Sequence, residues 1–366
     1  MKNINLTLLI SIIILTSSCS ENNRNEYNLN GLAKNIPNNT LIYLLEDGKS
    51  KDSVKIINEK FSFNGIIEEP TEFDLLIKET MDYKSIWLEK GNITFESEKG
   101  DFKNAKVIGS QSQIESEKLW KPIWVYRKKR DSLSRFVSDK EINDSLKKIA
   151  SFELEKVHNN RLKIEADFIK NNPDSYVSAS TLDFYSTSLN KKSVLELYNG
   201  FSERLKNSTY GQSIKKYLSL NKEFRIGDKY VDFEMNDING VKSKLSSFEG
   251  KVILLEFWSS GCGPCRKENP NLVKSYEKYN PFGFEVFAVS QDLDKERWLK
   301  AIEKDGLPWK HVSELKKKDV ASLTYGVNSI PDNFLIDKKG IIIGQKLRGE
   351  KLNDKLNEIL VEKASL

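Results

Sequence analysis

The 366-residue chain is short of the residues that most often carry enzyme chemistry, with three cysteines and two histidines. Three cysteines cannot build the disulfide framework that staples small secreted domains. Cys262 and Cys265 form a C-x-x-C pair, whereas Cys19 lies far upstream. A structural zinc site wants a second ligand pair, and neither the histidines nor a further cysteine supplies one. No metal and no cofactor are therefore expected; no Ser–His–Asp set or Gly-rich phosphate loop stands out. The mostly apolar run from Ile4 to Leu15 is shorter than the roughly 20 residues that span a bilayer. A large excess of charge of one sign is missing too. The 58 basic and 53 acidic residues leave a net +5, and their scatter argues against a nucleic-acid partner. The basic cluster Arg127 to Arg130 reads as a solvated helix face.

The length predicts two or three folding units, and 38% hydrophobic residues are enough for a buried core. At the N-terminus, Lys2, the apolar run and Thr16-Ser17-Ser18 ahead of Cys19 have the layout of a secretory signal. A cysteine at the cleavage point resembles the lipobox of bacterial lipoproteins, although Thr16 stands where leucine is usual. The resemblance implies a signal over residues 1–19 and lipidation of Cys19, giving stable attachment by more than one chain. One cysteine pair then remains, in an oxidising compartment.

A polar tether is expected over residues 20–28. Short segments of strand character follow: Leu41 to Leu45, Lys60 to Phe63, Phe73 to Ile77 and Ile93 to Phe95, parted by turns such as Asp47-Gly48 and Lys90-Gly91. They predict a small antiparallel β-sandwich or barrel over residues 29–110. Apolar residues at near-helical spacing, among them Ile142, Leu146, Ile149 and Val157, predict a helical insert over residues 111–222. Trp120, Trp124 and Tyr126 fall on one face of it and read as core. From residue 223 to 366, strands and helices alternate, with hairpins at Asn239-Gly240 and Lys338-Lys339-Gly340. That pattern predicts an α/β unit, a central mixed sheet covered on both faces.

The chemistry is expected at the start of a helix in this last unit. The apolar strand Val252 to Phe257, a short turn and then Cys262-Gly263-Pro264-Cys265 make the arrangement that disulfide exchange requires. A helix N-terminus favours the thiolate through its unpaired amides and dipole, and Pro264 fits a first helical turn. Cys262 is the expected nucleophile and Cys265 the resolving thiol one turn on.

The segment Phe257-Trp258-Ser259-Ser260-Gly261-Cys262-Gly263-Pro264-Cys265-Arg266-Lys267-Glu268-Asn269-Pro270 resembles the active-site segment of TlpA/ResA-type envelope thioredoxins. The likeness continues through Val289-Ser290-Gln291-Asp292, Asp305 to Trp309 and Tyr325-Gly326-Val327 to Pro331. The front β segments, with Asp52-Ser53 and Phe61-Ser62-Phe63-Asn64-Gly65, resemble the domain of unknown function that precedes thioredoxin-like domains in envelope lipoproteins. These resemblances imply a thioredoxin fold with a redox-active Cys262–Cys265 disulfide. They imply a periplasm-facing thiol–disulfide oxidoreductase that reduces protein disulfides, with an inner-membrane electron donor. Glu256, six positions before Cys262, matches a buried acid that accepts the proton of Cys265. Pro331 matches the cis-proline that presents the backbone of Ile330 to an extended substrate. Glu268 matches a helix acid that tunes the cysteine pair, Pro270 a helix kink, and Trp258 a residue of the substrate site. Gly261 departs from the family, which has tryptophan there, and this puts substrate preference in doubt. His311 and His158 read as packing or surface residues.

Other uses of the pattern differ in what they need. Peroxide reduction wants a threonine where Ser259 stands and a proline where Leu255 falls. Isomerase-like work would be favoured by an oligomer, and in a role of another class the front domains dock an envelope partner.

Overall fold

The computed structural model describes residues 25–139, 141–316 and 318–362, so the signal segment and Cys19 lie outside it. The chain divides into two compact units, one ending at Val125 and one starting at Tyr126.

The first unit is built from β1 (Glu26–Lys34), β2 (Leu41–Glu46), β3 (Lys49–Lys55), β4 (Lys60–Ile66), β5 (Thr71–Ile77), β6 (Asp82–Leu88), β7 (Gly91–Glu98) and β8 (Lys106–Ile108). They form two four-stranded sheets, ordered β4-β1-β7-β8 and β3-β2-β5-β6. Alternation decides which side chains face inward: Phe61 and Phe63 are buried while Lys60 and Ser62 are exposed, and Phe73, Leu75 and Ile77 enter the same core. Two expectations are corrected. β1 starts at Glu26, inside the segment expected to be tether, because Tyr27 and Leu29 are already buried on its inner face. β1 also runs parallel to β7 in a sheet expected to be antiparallel; the residues between them are ample for a crossover.

Helix α1 (Gln111–Ser138) crosses the boundary between the units and carries Pro122 inside it. Its buried apolar residues are Leu119 and Ile123, whereas Trp120 is 40% exposed. Of the aromatic residues expected to pack inward, Trp124 and Tyr126 are half-buried and Trp120 is exposed, so the fully buried positions fall to the aliphatic residues beside them. Next come α2 (Asp144–Asn171), α3 (Tyr176–Tyr185), α4 (Lys191–Asn199), α5 (Glu203–Asn207) and α6 (Thr209–Leu220). Each of these five starts where an Asn or Ser side chain (Asn143, Ser175, Asn190, Ser202, Ser208) accepts a first-turn amide, meeting donors that a helix start otherwise leaves unpaired. Among the described residues no helix is long and apolar enough to cross a membrane.

The last part contains the hairpin β9 (Glu234–Asn236) and β10 (Lys242–Lys244), then β11 (Val252–Trp258), α7 (Gly263–Tyr279), β12 (Phe284–Ser290), α8 (Lys295–Asp305), β13 (Lys310–Val312), α9 (Val320–Tyr325), β14 (Asp332–Ile336), β15 (Ile342–Gln345) and α10 (Glu350–Asn357). Five strands form one sheet, β13-β12-β11-β14-β15. β11, β12 and β13 are parallel, while β14 and β15 are antiparallel additions. β11 is buried along its whole length, as a central strand covered on both faces must be. Val252, Leu254 and Trp258 pack with Cys265 and Leu272 of α7, whereas Ile253, Leu255 and Phe257 pack on the other face with Tyr325. This mixed sheet with helices on both sides is a thioredoxin fold.

Candidate active site

The cysteine pair sits where β11 gives way to α7. Cys262 is the N-cap of that helix and Pro264 lies in its first turn. The two sulfurs are joined in a disulfide, with Cα atoms 5.2 Å apart. The Cys265 N–H points at the Cys262 sulfur from 3.1 Å, so this sulfur already has the donor that would face it as a thiolate. Cys262 is partly exposed and Cys265 is 1% exposed. One sulfur meets solvent and the other is enclosed.

Alternation along β11 puts Glu256 on the face of Leu254 and Trp258, the face that α7 and Cys265 cover. Its cross-strand neighbour on β14 is Asn333, which hydrogen-bonds its carboxyl group. Burial pushes the Glu256 carboxyl up to about 8; Asp332 and Glu268 add to the rise, and Asn333 and Arg348 oppose it. A carboxylic acid in such a place stays protonated at neutral pH. Burial likewise raises the Asp332 carboxyl.

The Ile330–Pro331 peptide bond is cis, directly ahead of β14. Ile330 is partly exposed and packs against the cluster holding both cysteines. Glu268, on α7, accepts the Gly349 N–H and the Asn271 amide, each at 2.9 Å. Pro270 lies inside the same helix. Trp258 corrects an expectation. At 2% exposure, with its ring 5.5 Å from that of His311, it has no face to offer a substrate and backs the site from within. His311 lies in edge strand β13, and burial lowers its pKa to about 3, so the imidazole is neutral.

Sequence reasoning missed the group that holds the turn before Cys262. The Asp292 carboxylate accepts the Ser260 N–H at 2.8 Å, the Ser260 hydroxyl at 2.5 Å and the Ser290 hydroxyl at 2.8 Å. Arg266 donates to the Ser260 carbonyl at 3.1 Å and pairs with Asp305, which also accepts from Asn269 at 2.7 Å. Although burial works against it, hydrogen bonds from Arg266 and Asn269 hold the Asp305 carboxyl below its usual range. All three polar groups of Ser260 are thereby fixed. Gly261 then leads to Cys262, with the Arg297 guanidinium 3.9 Å from where a Cβ would stand. The available signal was a charged residue beside the redox motif, Arg266, and a second one, Asp292, just past the end of the next strand.

Among the described residues there is no group of three or more His, Cys, Asp or Glu side chains placed to hold a metal ion. The arrangement instead pairs a partly exposed sulfur at a helix start with an enclosed one, over the sheet face to which the protonated Glu256 carboxyl group belongs.

Comparison with known proteins places these features in a lineage. A profile described as the AhpC/TSA family matches residues 226–345, and one described as a domain of unknown function (DUF4369) matches residues 27–115. The thiol-disulfide oxidoreductase ResA of Bacillus cereus is 34% identical over 144 residues, which cover 39% of this chain and 82% of that protein. ResA of Geobacillus thermodenitrificans is 34% identical over 115 residues, 31% of this chain and 65% of that one. The solved thioredoxin domain of a thiol-disulfide oxidoreductase from Bacteroides vulgatus is 34% identical, with a TM-score of 0.35, covering 37% of this chain and 99% of that chain. Carrying a DUF4369 domain at its front and the cysteine pair in its thioredoxin-like part, the chain belongs to the ResA family of thiol-disulfide oxidoreductases.

Proposed function

We propose that the chain is a lipid-anchored reductase of protein disulfides in the cell envelope, with Cys262 attacking and Cys265 resolving. The carrying observation is the asymmetry of the two sulfurs: Cys262 is partly exposed at the mouth of α7 and Cys265 is enclosed. In the reduced protein the Cys262 thiolate attacks a substrate disulfide. One Cys262–substrate S–S bond forms, the substrate S–S bond breaks, and the departing thiolate takes a proton from water. In the fraction of molecules whose Glu256 is ionised, Cys265 then gives its proton to that carboxylate and attacks the Cys262 sulfur. The mixed disulfide breaks and the second substrate sulfur leaves. Two electrons pass to the substrate, and the enzyme ends as the Cys262–Cys265 disulfide. A dithiol donor at the inner membrane returns it to the reduced form.

A carboxyl group near pKa 8 suits the proton step, because it is almost matched to a thiol at about 8.5, whereas an ordinary glutamate at about 4.3 is a poor acceptor. Ile330 and Pro331 supply the edge against which an extended substrate lies, and Glu268 tunes the pair from α7. The envelope assignment rests on Lys2, the apolar run and Cys19. The reducing direction rests on Gly263-Pro264 between the cysteines, the pair found in thioredoxin, whose potential is about −270 mV.

Trapping and redox equilibration test the reading together. Cys265→Ala should accumulate substrates disulfide-linked to Cys262, and Cys262→Ser should accumulate none. Equilibration with glutathione should give a potential near that of thioredoxin. A value as high as the roughly −120 mV of a dedicated oxidant would sink the reductase direction, and absence of any Cys262 adduct would sink the mechanism.

A further inference from the structure

A short strap between β15 and α10, Lys346 to Gly349, passes close to Glu256 and is pinned on both sides. From β14, the Asn333 carbonyl accepts the Lys346 N–H at 3.0 Å. The Asn333 side chain accepts the Leu347 N–H at 2.9 Å and donates to the Leu347 carbonyl at 2.8 Å. From α7, Glu268 accepts the Gly349 N–H at 2.9 Å. Both ends of the strap have a positive φ, Lys346 at 54° and Gly349 at 56°. Gly349 adopts this backbone freely, but a lysine there is uncommon. The residue between the pins is Arg348, whose guanidinium donates to the Pro331 carbonyl. Its Nε is buried without a hydrogen-bond partner. A guanidinium has five donors in a fixed fork, so this one reaches the substrate edge with capacity to spare.

The charged groups that act on Glu256 are Asp332 from β14, Glu268 from α7 and Arg348 from the strap. Two are acids, and Arg348 is the cation. Lys346 and Arg348 also act on Asp332. We propose that Arg348 is a positioning residue, fixing the Pro331 carbonyl at the substrate edge while supplying the positive charge that stabilises the Glu256 carboxylate which accepts the Cys265 proton during resolution. The inference rests on the proton-acceptor role proposed above. It adds that the edge and the acceptor are held by one side chain, so binding and release are set by the same cation.

The test is the pH profile of release from a mixed disulfide between Cys262 and a peptide thiol, in the full chain. Arg348→Gln keeps a donor for the Pro331 carbonyl and removes the charge. The midpoint of its profile should move up by about one pH unit, a roughly tenfold slower release at neutral pH. Arg348→Lys keeps the charge and should keep the midpoint near the wild-type value. A folded Arg348→Gln protein with the wild-type midpoint overturns the proposal. The unaltered protein gives a second reading that no folding defect can obscure. The 15N resonance of Arg348 Nε should shift through the Glu256 midpoint near 8, and a flat response overturns the proposal whatever the variants do. Failure of the wild-type protein to form the mixed disulfide counts instead against the redox mechanism itself.

Discussion

Glu256 carries opposite consequences for chemistry and for stability. The native carboxyl group holds its proton to about pH 8, whereas in the unfolded chain it ionises near 4.3. Between those values the native state binds more protons than the unfolded state, so stability falls as pH rises through that window. Glu256→Gln removes this slope. Urea unfolding of the oxidised protein should show the variant close to wild type at pH 4 and more stable by a few kcal/mol at pH 8, because each tenfold difference in proton affinity between the two states corresponds to about 1.4 kcal/mol. Parallel pH profiles for the two proteins would mean that Glu256 is not held protonated. The same change should slow release from the mixed disulfide, so one residue ought to trade stability against turnover.

Elements place these residues, and they differ in how plainly the sequence announces them. Strands β11 and β12 were legible because a run buried on both faces is apolar almost throughout, broken by Glu256 in the one and by Glu285 and Ser290 in the other, and α7 because Cys262 and Pro264 occupy its first positions. β3, Lys-Ser-Lys-Asp-Ser-Val-Lys, was not legible. It is an edge strand paired only with β2 and exposed along most of its length, so burial imposes no alternation on it. β1 was half hidden for a similar reason, as its inward residues are separated by asparagines. At the site, Cys262, Cys265, Glu256 and Pro331 lie within ordered motifs, whereas Arg348 and Asn333 acquire meaning only when β14 and the strap come together. Asp292 is the clearest case. It was visible within a motif, but its work is to hold Ser260 across a turn 32 residues away. Asp292→Ala would leave the Ser260 amide without its acceptor. An unsatisfied buried group costs about 1–3 kcal/mol, a loss that should appear in urea unfolding. Ser260→Ala, which keeps the amide bond and loses only the hydroxyl bond, should cost less. Equal losses from the two variants would show that the backbone bond contributes nothing.

Within the second unit, the helical region and the thioredoxin fold share a core. Leu323 belongs to α9, yet it is buried in the cluster of Leu182, Val194, Ile214 and Tyr217 from the helices before it. The junction is hydrogen-bonded as well. The Asn221 side chain donates to the Leu323 carbonyl at 3.4 Å, the Lys222 N–H donates to the Thr324 carbonyl at 3.1 Å, and Lys318 pairs with Asp183 at 2.6 Å. α9 leads within a few residues to Ile330 and Pro331. The helices therefore pack against the element that sets up the substrate edge, and a role as a loose spacer does not fit this packing. Leu323→Ala would open a cavity in a core made by both parts, at a cost of about 2–5 kcal/mol. Because the cavity is shared, amide exchange should quicken in α6 and in α9 by similar factors, as expected of one cooperative unit. Faster exchange in α9 alone, with α6 unchanged, would show that the helices open independently of the redox domain and leave the Pro331 edge to be set by the thioredoxin fold alone.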